Sequence, residues 1–205
     1  MRFESRRARK AGRSPEECDL VERLGSRCIV LVGMMGCGKT SVGRRLAKRL
    51  DMRFVDSDDE IEAAAGGQKI RDMFRERGEA YFRDGERRVI ARLLTEGPSI
   101  LATGGGAFMN AETRASVARL GISLWLHAEL PVLLERVLRR APEERPILNV
   151  GGLTPEQNMT RFMAERRPFY AQADVTVETR DVNHEVVVDE AVAALLASGK
   201  LARPG

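Results

Sequence analysis

An α/β fold built on a parallel sheet is predicted by three observations. Short apolar runs alternate with amphipathic helical segments along the 205 residues, the order that gives a parallel sheet covered by helices on both faces. The first run, Cys28 to Val32, leads straight into Gly33-Met34-Met35-Gly36-Cys37-Gly38-Lys39-Thr40, which fits the phosphate-binding pattern G-x-x-x-x-G-K-[ST]. Ser41 to Leu50 then sets Val42, Leu46 and Leu50 four apart, with Arg44, Arg45, Lys48 and Arg49 between them, as an amphipathic helix requires.

Each residue type in this loop has a physical reason. Glycines turn the backbone through dihedrals that a side chain forbids, so successive N–H groups can face one phosphate. The next helix offers its unpaired N–H groups and positive dipole end to the same anion. Lys39 carries a point charge to the β and γ oxygens, and the Thr40 hydroxyl can sit on Mg²⁺. The expected nucleotide contacts are Gly36, Cys37, Gly38, Lys39, Thr40 and Ser41.

The remaining elements follow in order. Phe54-Val55 is a second strand, leading into Asp56-Ser57-Asp58-Asp59 and a helix capped by Ser57 or Asp58 that Gly66-Gly67 ends. Ile70, Met73 and Phe74 share a helical face that breaks at Gly78; Glu79 to Leu94 is a longer helix with Phe82, Glu86 and Ile90 at steps of four. Ser99 to Ala102 is the third strand, ending in Thr103-Gly104-Gly105-Gly106. Ala111 to Leu120 is a helix, Ile122 to Leu126 the fourth strand, and Pro131 to Arg139 a helix with proline in its first turn. Residues 141–152, rich in Pro, Gly and charge, read as a mobile lid. Thr154 and Gln157 have capping-box spacing for a helix to about Tyr170. Val175 to Val177 is the fifth strand, and Val186 to Leu196 the last helix.

Composition bounds the rest. The length suits one domain with a full core, built from aliphatic residues because aromatics are only 5%. No run reaches the roughly 18 apolar residues of a membrane span, and no apolar segment near the start reads as a signal peptide, so no membrane partner is expected. Cys18, Cys28 and Cys37 lack metal-ligand spacing and cannot all pair, which points to a reducing compartment, the cytoplasm. The net charge of +4 sits in residues 1–14, where six basic residues face Glu4; the remainder is near neutral and carries no nucleic-acid footprint. Residues 1–25 therefore read as a basic, disordered extension with a short helix from Pro15 to Leu24, and 26–200 as the domain.

Several constellations could carry chemistry. Asp56 and Asp58 leave a strand end, where ligands of open parallel sheets bind. One can help hold Mg²⁺ and the other can accept a hydroxyl proton, or both can merely cap the next helix. Gly104, Gly105 and Gly106 allow close backbone approach to a ligand, or form a plain connector. Arg83 taken alone is a solvated charge. Arg145, in the lid, could close over a transferring phosphoryl, and Arg166 offers a planar fork to a carboxylate. Arg139, Arg140 and Arg167 compete for those roles.

Together these pieces resemble the shikimate kinase family. The markers are the Gly33–Thr40 loop, Phe54-Val55-Asp56-Ser57-Asp58, Gly78-Glu79 with Phe82-Arg83, Ala102-Thr103-Gly104-Gly105-Gly106-Ala107, Arg145-Pro146-Ile147-Leu148 and Arg166-Arg167-Pro168-Phe169-Tyr170. The resemblance implies a three-layer α/β/α P-loop kinase fold around a five-stranded parallel sheet. It implies transfer of the ATP γ-phosphoryl to the 3-hydroxyl of shikimate with one Mg²⁺, by a monomer. Asp58, Arg83, Gly104, Gly105, Gly106 and Arg166 match shikimate-holding positions, with Phe74 and Phe82 as walls and Glu86 as partner of the arginines. Thr40 and Asp56 match the metal side; Lys39, Asp58 and Arg145 match catalytic positions, Arg145 closing on ATP. Cys37 stands where the family often has Ala or Ser, and Arg180 is a loose match to an adenine-side residue. A gluconate kinase would share the loop but not the Asp-Ser-Asp, Phe-Arg and Gly-Gly-Gly set. A guanine-nucleotide switch would carry Asn-Lys-x-Asp, which is absent.

Overall fold

The computed structural model describes residues 12–139, 152–180 and 182–201. Its elements are α1 (Pro15–Leu24), β1 (Cys28–Val32), α2 (Lys39–Leu50), β2 (Arg53–Asp56), α3 (Ser57–Ala64), α4 (Ile70–Leu93), β3 (Ser99–Ala102), a single 3₁₀ turn (Ala107–Met109), α5 (Ala111–Leu120), β4 (Gly121–His127), α6 (Leu130–Leu138), α7 (Pro155–Tyr170), β5 (Val175–Glu178) and α8 (His184–Ala197). The expected lid, with Arg145, lies outside the described residues apart from Gly152.

All five strands are parallel, in the order β2-β3-β1-β4-β5. β1 and β4 are buried along their whole length, as central strands between two helical layers must be. β5, at an edge, alternates buried Val175 and Val177 with exposed Thr176 and Glu178. Helices α1, α2 and α8 pack on one another, α5 packs on β4 and against α4, and α6 packs on α7. Register decides where the site falls. Leu31 pairs with Ala102, and Ala102 with Asp56. The chain therefore leaves β1, β3 and β2 side by side at one sheet end, delivering Gly33–Thr40, Thr103–Gly106 and Asp56–Asp58 together.

Two expectations need correction. The domain does not begin at residue 26. Ser14 caps α1 through a capping box with Glu17, and Leu20 and Leu24, one turn apart, are 0% and 2% exposed in the main core. Glu17 also reaches Arg49 of α2 at 3.6 Å. The polar residues around those leucines hid the apolar stripe. Second, the cap of α3 is Asp56, whose side chain accepts from the Asp58 N–H, rather than Ser57 or Asp58. The expected break at Gly78 holds: residues 70–93 form one run that Gly78 interrupts with φ 80° and ψ 171°.

If α1 belongs to the core, Leu20→Ala should lower the unfolding free energy by about 2–4 kcal/mol in a denaturant melt. A change below about 0.5 kcal/mol, the scale of a surface substitution, would return α1 to the extension.

Candidate active site

The phosphate loop takes its shape from Gly36 and Gly38, at φ 83° and 97°. Gly38 is the N-cap of α2 and brings no side chain, so the first N–H groups of the helix keep their donors for an anion. Lys39 Nζ donates to the carbonyls of Gly33 at 2.8 Å and Met34 at 3.0 Å, folded over its own loop. The Cys37 thiol is buried and its Sγ lies 3.8 Å from that ammonium. Thr40 and Ser41 open the helix. Thr40 Oγ1 donates to Asp56 Oδ2 at 3.1 Å, while Asp56 Oδ1 accepts from the Asp58 N–H at 3.2 Å. A hydroxyl and a carboxylate in contact beside a phosphate loop fit Mg²⁺, which takes one or two protein oxygens and fills its octahedron with phosphates and water. Among the described residues no group of three or more His, Cys, Asp or Glu side chains is placed to hold a metal ion by itself.

The opposite half is built around the glycine run. A Cβ on Gly104 would lie 2.6 Å from Glu86 Oε1 and 3.0 Å from Asp58 Oδ1. One on Gly106 would lie 2.7 Å from the Arg83 guanidinium, and one on Gly105 3.4 Å from Arg166 Nη1. Gly104 and Gly106 leave the room that Glu86, Asp58 and Arg83 occupy, whereas a Cβ on Gly105 would only touch Arg166. Ser57 holds the loop in place, its Oγ accepting from the Gly104 N–H at 3.1 Å.

Charge is organised tightly here. Arg83, on α4, donates to Glu86 Oε2 at 2.7 Å and to Glu79 at 3.2 Å, and packs on the rings of Phe74 and Phe82. Arg166, on α7, is only 6% exposed, stacks on Phe162 at 4.6 Å, and its Nη1 donates to the Gly105 carbonyl at 3.4 Å. Arg166 Nε and Glu86 Oε1 are buried without a hydrogen-bond partner. Buried polar atoms left open in this way are costly unless a ligand completes them. Phe74, Arg83, Glu86, Gly106, Phe162 and Arg166 line a cleft of about 630 Å³. Burial pushes the Glu86 carboxyl up, against the pull of Arg83 and Arg166. Burial, then Asp56 and Glu86, push Asp58 from 3.8 to about 6, with Lys39 pulling the other way.

The structure thus brings Lys39, Thr40, Asp56, Asp58, Arg83, Gly104–Gly106 and Arg166 to one end of the sheet. Arg180, the loose adenine-side match, pairs instead with Glu190 and its carbonyl accepts from Arg136. Sequence reading missed Ser57, Phe162 and Tyr170 as parts of the site. Phe162 and Tyr170 stand four residues either side of Arg166, a spacing that places all three on one face of α7.

A nucleotide loop at a helix N-terminus, facing a cleft with two arginines and a carboxylate of raised pKa, defines a P-loop phosphotransferase with a small anionic acceptor. The family model for shikimate kinase matches residues 35–196. A shikimate kinase of Rhodopseudomonas palustris is 54% identical over 90% of this chain and 89% of its own length. One of Bradyrhizobium diazoefficiens is 53% identical over 88% and 85%. A solved shikimate kinase of Acinetobacter baumannii, in complex with shikimate, is 34% identical with a TM-score of 0.78 over 89% of this chain and 98% of that one. The chain belongs to the shikimate kinase family, and it is an ATP-dependent kinase.

Asp58 has a consequence for stability. Its folded-state value lies above the ordinary 3.8. Ionising it therefore costs the folded state, with no cost below about pH 4, a growing one between pH 4 and 6, and the full cost above about 6. Asp58→Asn should raise stability by about 1–3 kcal/mol at pH 7.5, with the gain vanishing at pH 4 in urea melts. A loss of stability at pH 7.5 would refute the strained carboxylate.

Proposed function

We propose that this chain transfers the γ-phosphoryl of ATP to the 3-hydroxyl of shikimate, giving 3-phosphoshikimate and ADP, in the route to aromatic amino acids. The observation that carries this reading is that Arg83 and Arg166 line one cleft with Glu86, while Asp58 stands close enough to both Glu86 and Lys39 to feel their charges. A carboxylate fits the arginines by bidentate, charge-assisted hydrogen bonds. A hydroxyl on the same small ring then reaches Asp58.

The residues divide the work as follows. The backbone N–H groups of Gly36 to Ser41 cradle the triphosphate, with Cys37 serving as a small buried filler. Lys39 leaves the Gly33 and Met34 carbonyls for the β and γ oxygens. Thr40 and Asp56 would hold Mg²⁺, which when bound neutralises developing phosphate charge. Arg83 and Arg166 anchor the acceptor carboxylate, and the backbone of Gly104, Gly105 and Gly106 closes against its ring. That anchoring turns binding energy into alignment. Asp58 orients the hydroxyl and takes its proton as the oxygen forms its bond to the γ-phosphorus and the bond to the β–γ bridging oxygen breaks. A carboxylate near pKa 6 is ionised at neutral pH yet a better base than a solvated one. Arg145 is proposed to close on the transferring group; it lies outside the described residues. We further read the chain as a cytoplasmic monomer that needs no membrane or nucleic acid. The three cysteines are free, as a reducing compartment keeps them, and no described helix is long and apolar enough to cross a membrane.

The direct test couples ADP release to NADH oxidation, with and without shikimate. Shikimate-dependent turnover that needs Mg²⁺ is expected; turnover with gluconate alone would overturn the assignment. Arg83→Ala or Arg166→Ala should raise the shikimate KM about 10- to 100-fold and leave the ATP KM within a few fold. An unchanged shikimate KM removes that arginine from the site. kcat/KM for shikimate should fall below about pH 6 as Asp58 protonates, with Asp58→Asn losing most of kcat at every pH. A flat profile from pH 5 to 8 would exclude Asp58 as the base.

A further inference from the structure

Tyr170 closes α7 and is 1% exposed, yet it carries a hydroxyl into the space between the two ligand loops. That hydroxyl donates to the Gly105 carbonyl, and it lies 3.9 Å from Met34 Sδ. Met34 belongs to the phosphate loop, and its own carbonyl accepts from Lys39. Burial pushes the phenol above its ordinary value, so it stays a donor at every working pH. The same Gly105 carbonyl accepts from Arg166 Nη1, at a long 3.4 Å. One acceptor thus holds two donors from one helix face, four residues apart.

We propose that Tyr170 is a positioning residue for the acceptor: its hydroxyl ties the Gly105 carbonyl to the phosphate-loop side and releases Arg166 for the substrate carboxylate. This rests on the shikimate reading above. Two physical effects carry it. In a trans peptide the C=O and the following N–H point in opposite directions. Fixing the Gly105 carbonyl toward Tyr170 therefore fixes the Gly106 N–H away from it, and Gly106 lines the acceptor cleft. In addition, this part-buried carbonyl would compete for Arg166 if it lost its Tyr170 donor, because leaving it bare is costly. Tyr170 satisfies that carbonyl, so the guanidinium can turn to an anion.

Tyr170→Phe keeps the ring and removes only the oxygen. Trp125, the single tryptophan of the chain, has its ring 5.9 Å from that of Tyr170 and is the fluorescence probe for these titrations. Shikimate and Mg-ATP are titrated separately into the wild type, Tyr170→Phe, Arg166→Ala and the double variant, alongside steady-state kinetics. The variant should bind shikimate about tenfold more weakly, the scale of one buried hydrogen bond. Its Mg-ATP affinity should stay within twofold, and Arg166→Ala should cost less in the Tyr170→Phe background than alone. Equal shikimate affinity, or parallel weakening of both ligands, would overturn the positioning role and leave Tyr170 as packing. If the wild type itself neither binds nor phosphorylates shikimate, the substrate reading fails and takes this one with it. A normal wild type with an unaffected Tyr170→Phe overturns this inference alone.

Discussion

The rest of the site depends on crowding around a backbone that has no side chains. Asp58, Glu86, Arg83 and Arg166 converge on Gly104–Gly106 so closely that a methyl group on Gly104 or Gly106 would strike a carboxylate or a guanidinium. Four ionisable groups from α3, α4 and α7 can meet only because β3 ends in a run that occupies almost no volume. The parallel sheet then sets this run beside the phosphate loop, since β3 and β1 are neighbours in register. Donor and acceptor chemistry are joined by two adjacent strand ends.

Electrostatics makes the arrangement expensive to keep. Glu86 is buried beside Arg83 and Arg166, and its second oxygen has no partner. A buried pair of this kind contributes little net stability, because desolvation consumes much of the attraction. Its value lies in orientation. Glu86 holds Arg83 against the rings of Phe74 and Phe82, and Phe162 holds Arg166, so both cations are set before a ligand arrives. Asp58 ionises among carboxylates, with Lys39 pulling the other way. Strain of this sort concentrates where function needs it and is carried by the well-packed sheet beneath.

The phosphate loop was legible in the chain because its chemistry is local. Glycine spacing, a lysine and a hydroxyl within eight residues leave few other uses, and the flanking strand and helix confirmed the context. The long periodic helices and the apolar strands were legible for the same reason, as was the break at Gly78. Leu20 and Leu24 were not, because a few apolar residues in a largely polar decamer give a weak signal until α2 and α8 supply the partner surface. Arg83 became a candidate only through family likeness, and Arg166 was one candidate among several until that likeness singled it out. On a helix any arginine reads as solvated, and Arg167 was as good a choice as Arg166.

The sequence by itself determined the parallel α/β class, the nucleotide loop and the presence of two acidic residues at a strand end, since each is written in contiguous residues. Tertiary structure decided strand order, which arginine turns inward, and the meeting of Tyr170, Met34 and Gly105 across more than sixty positions of chain. Those depend on helix rotation and strand register, which are set by the packing of distant segments and have no local spelling.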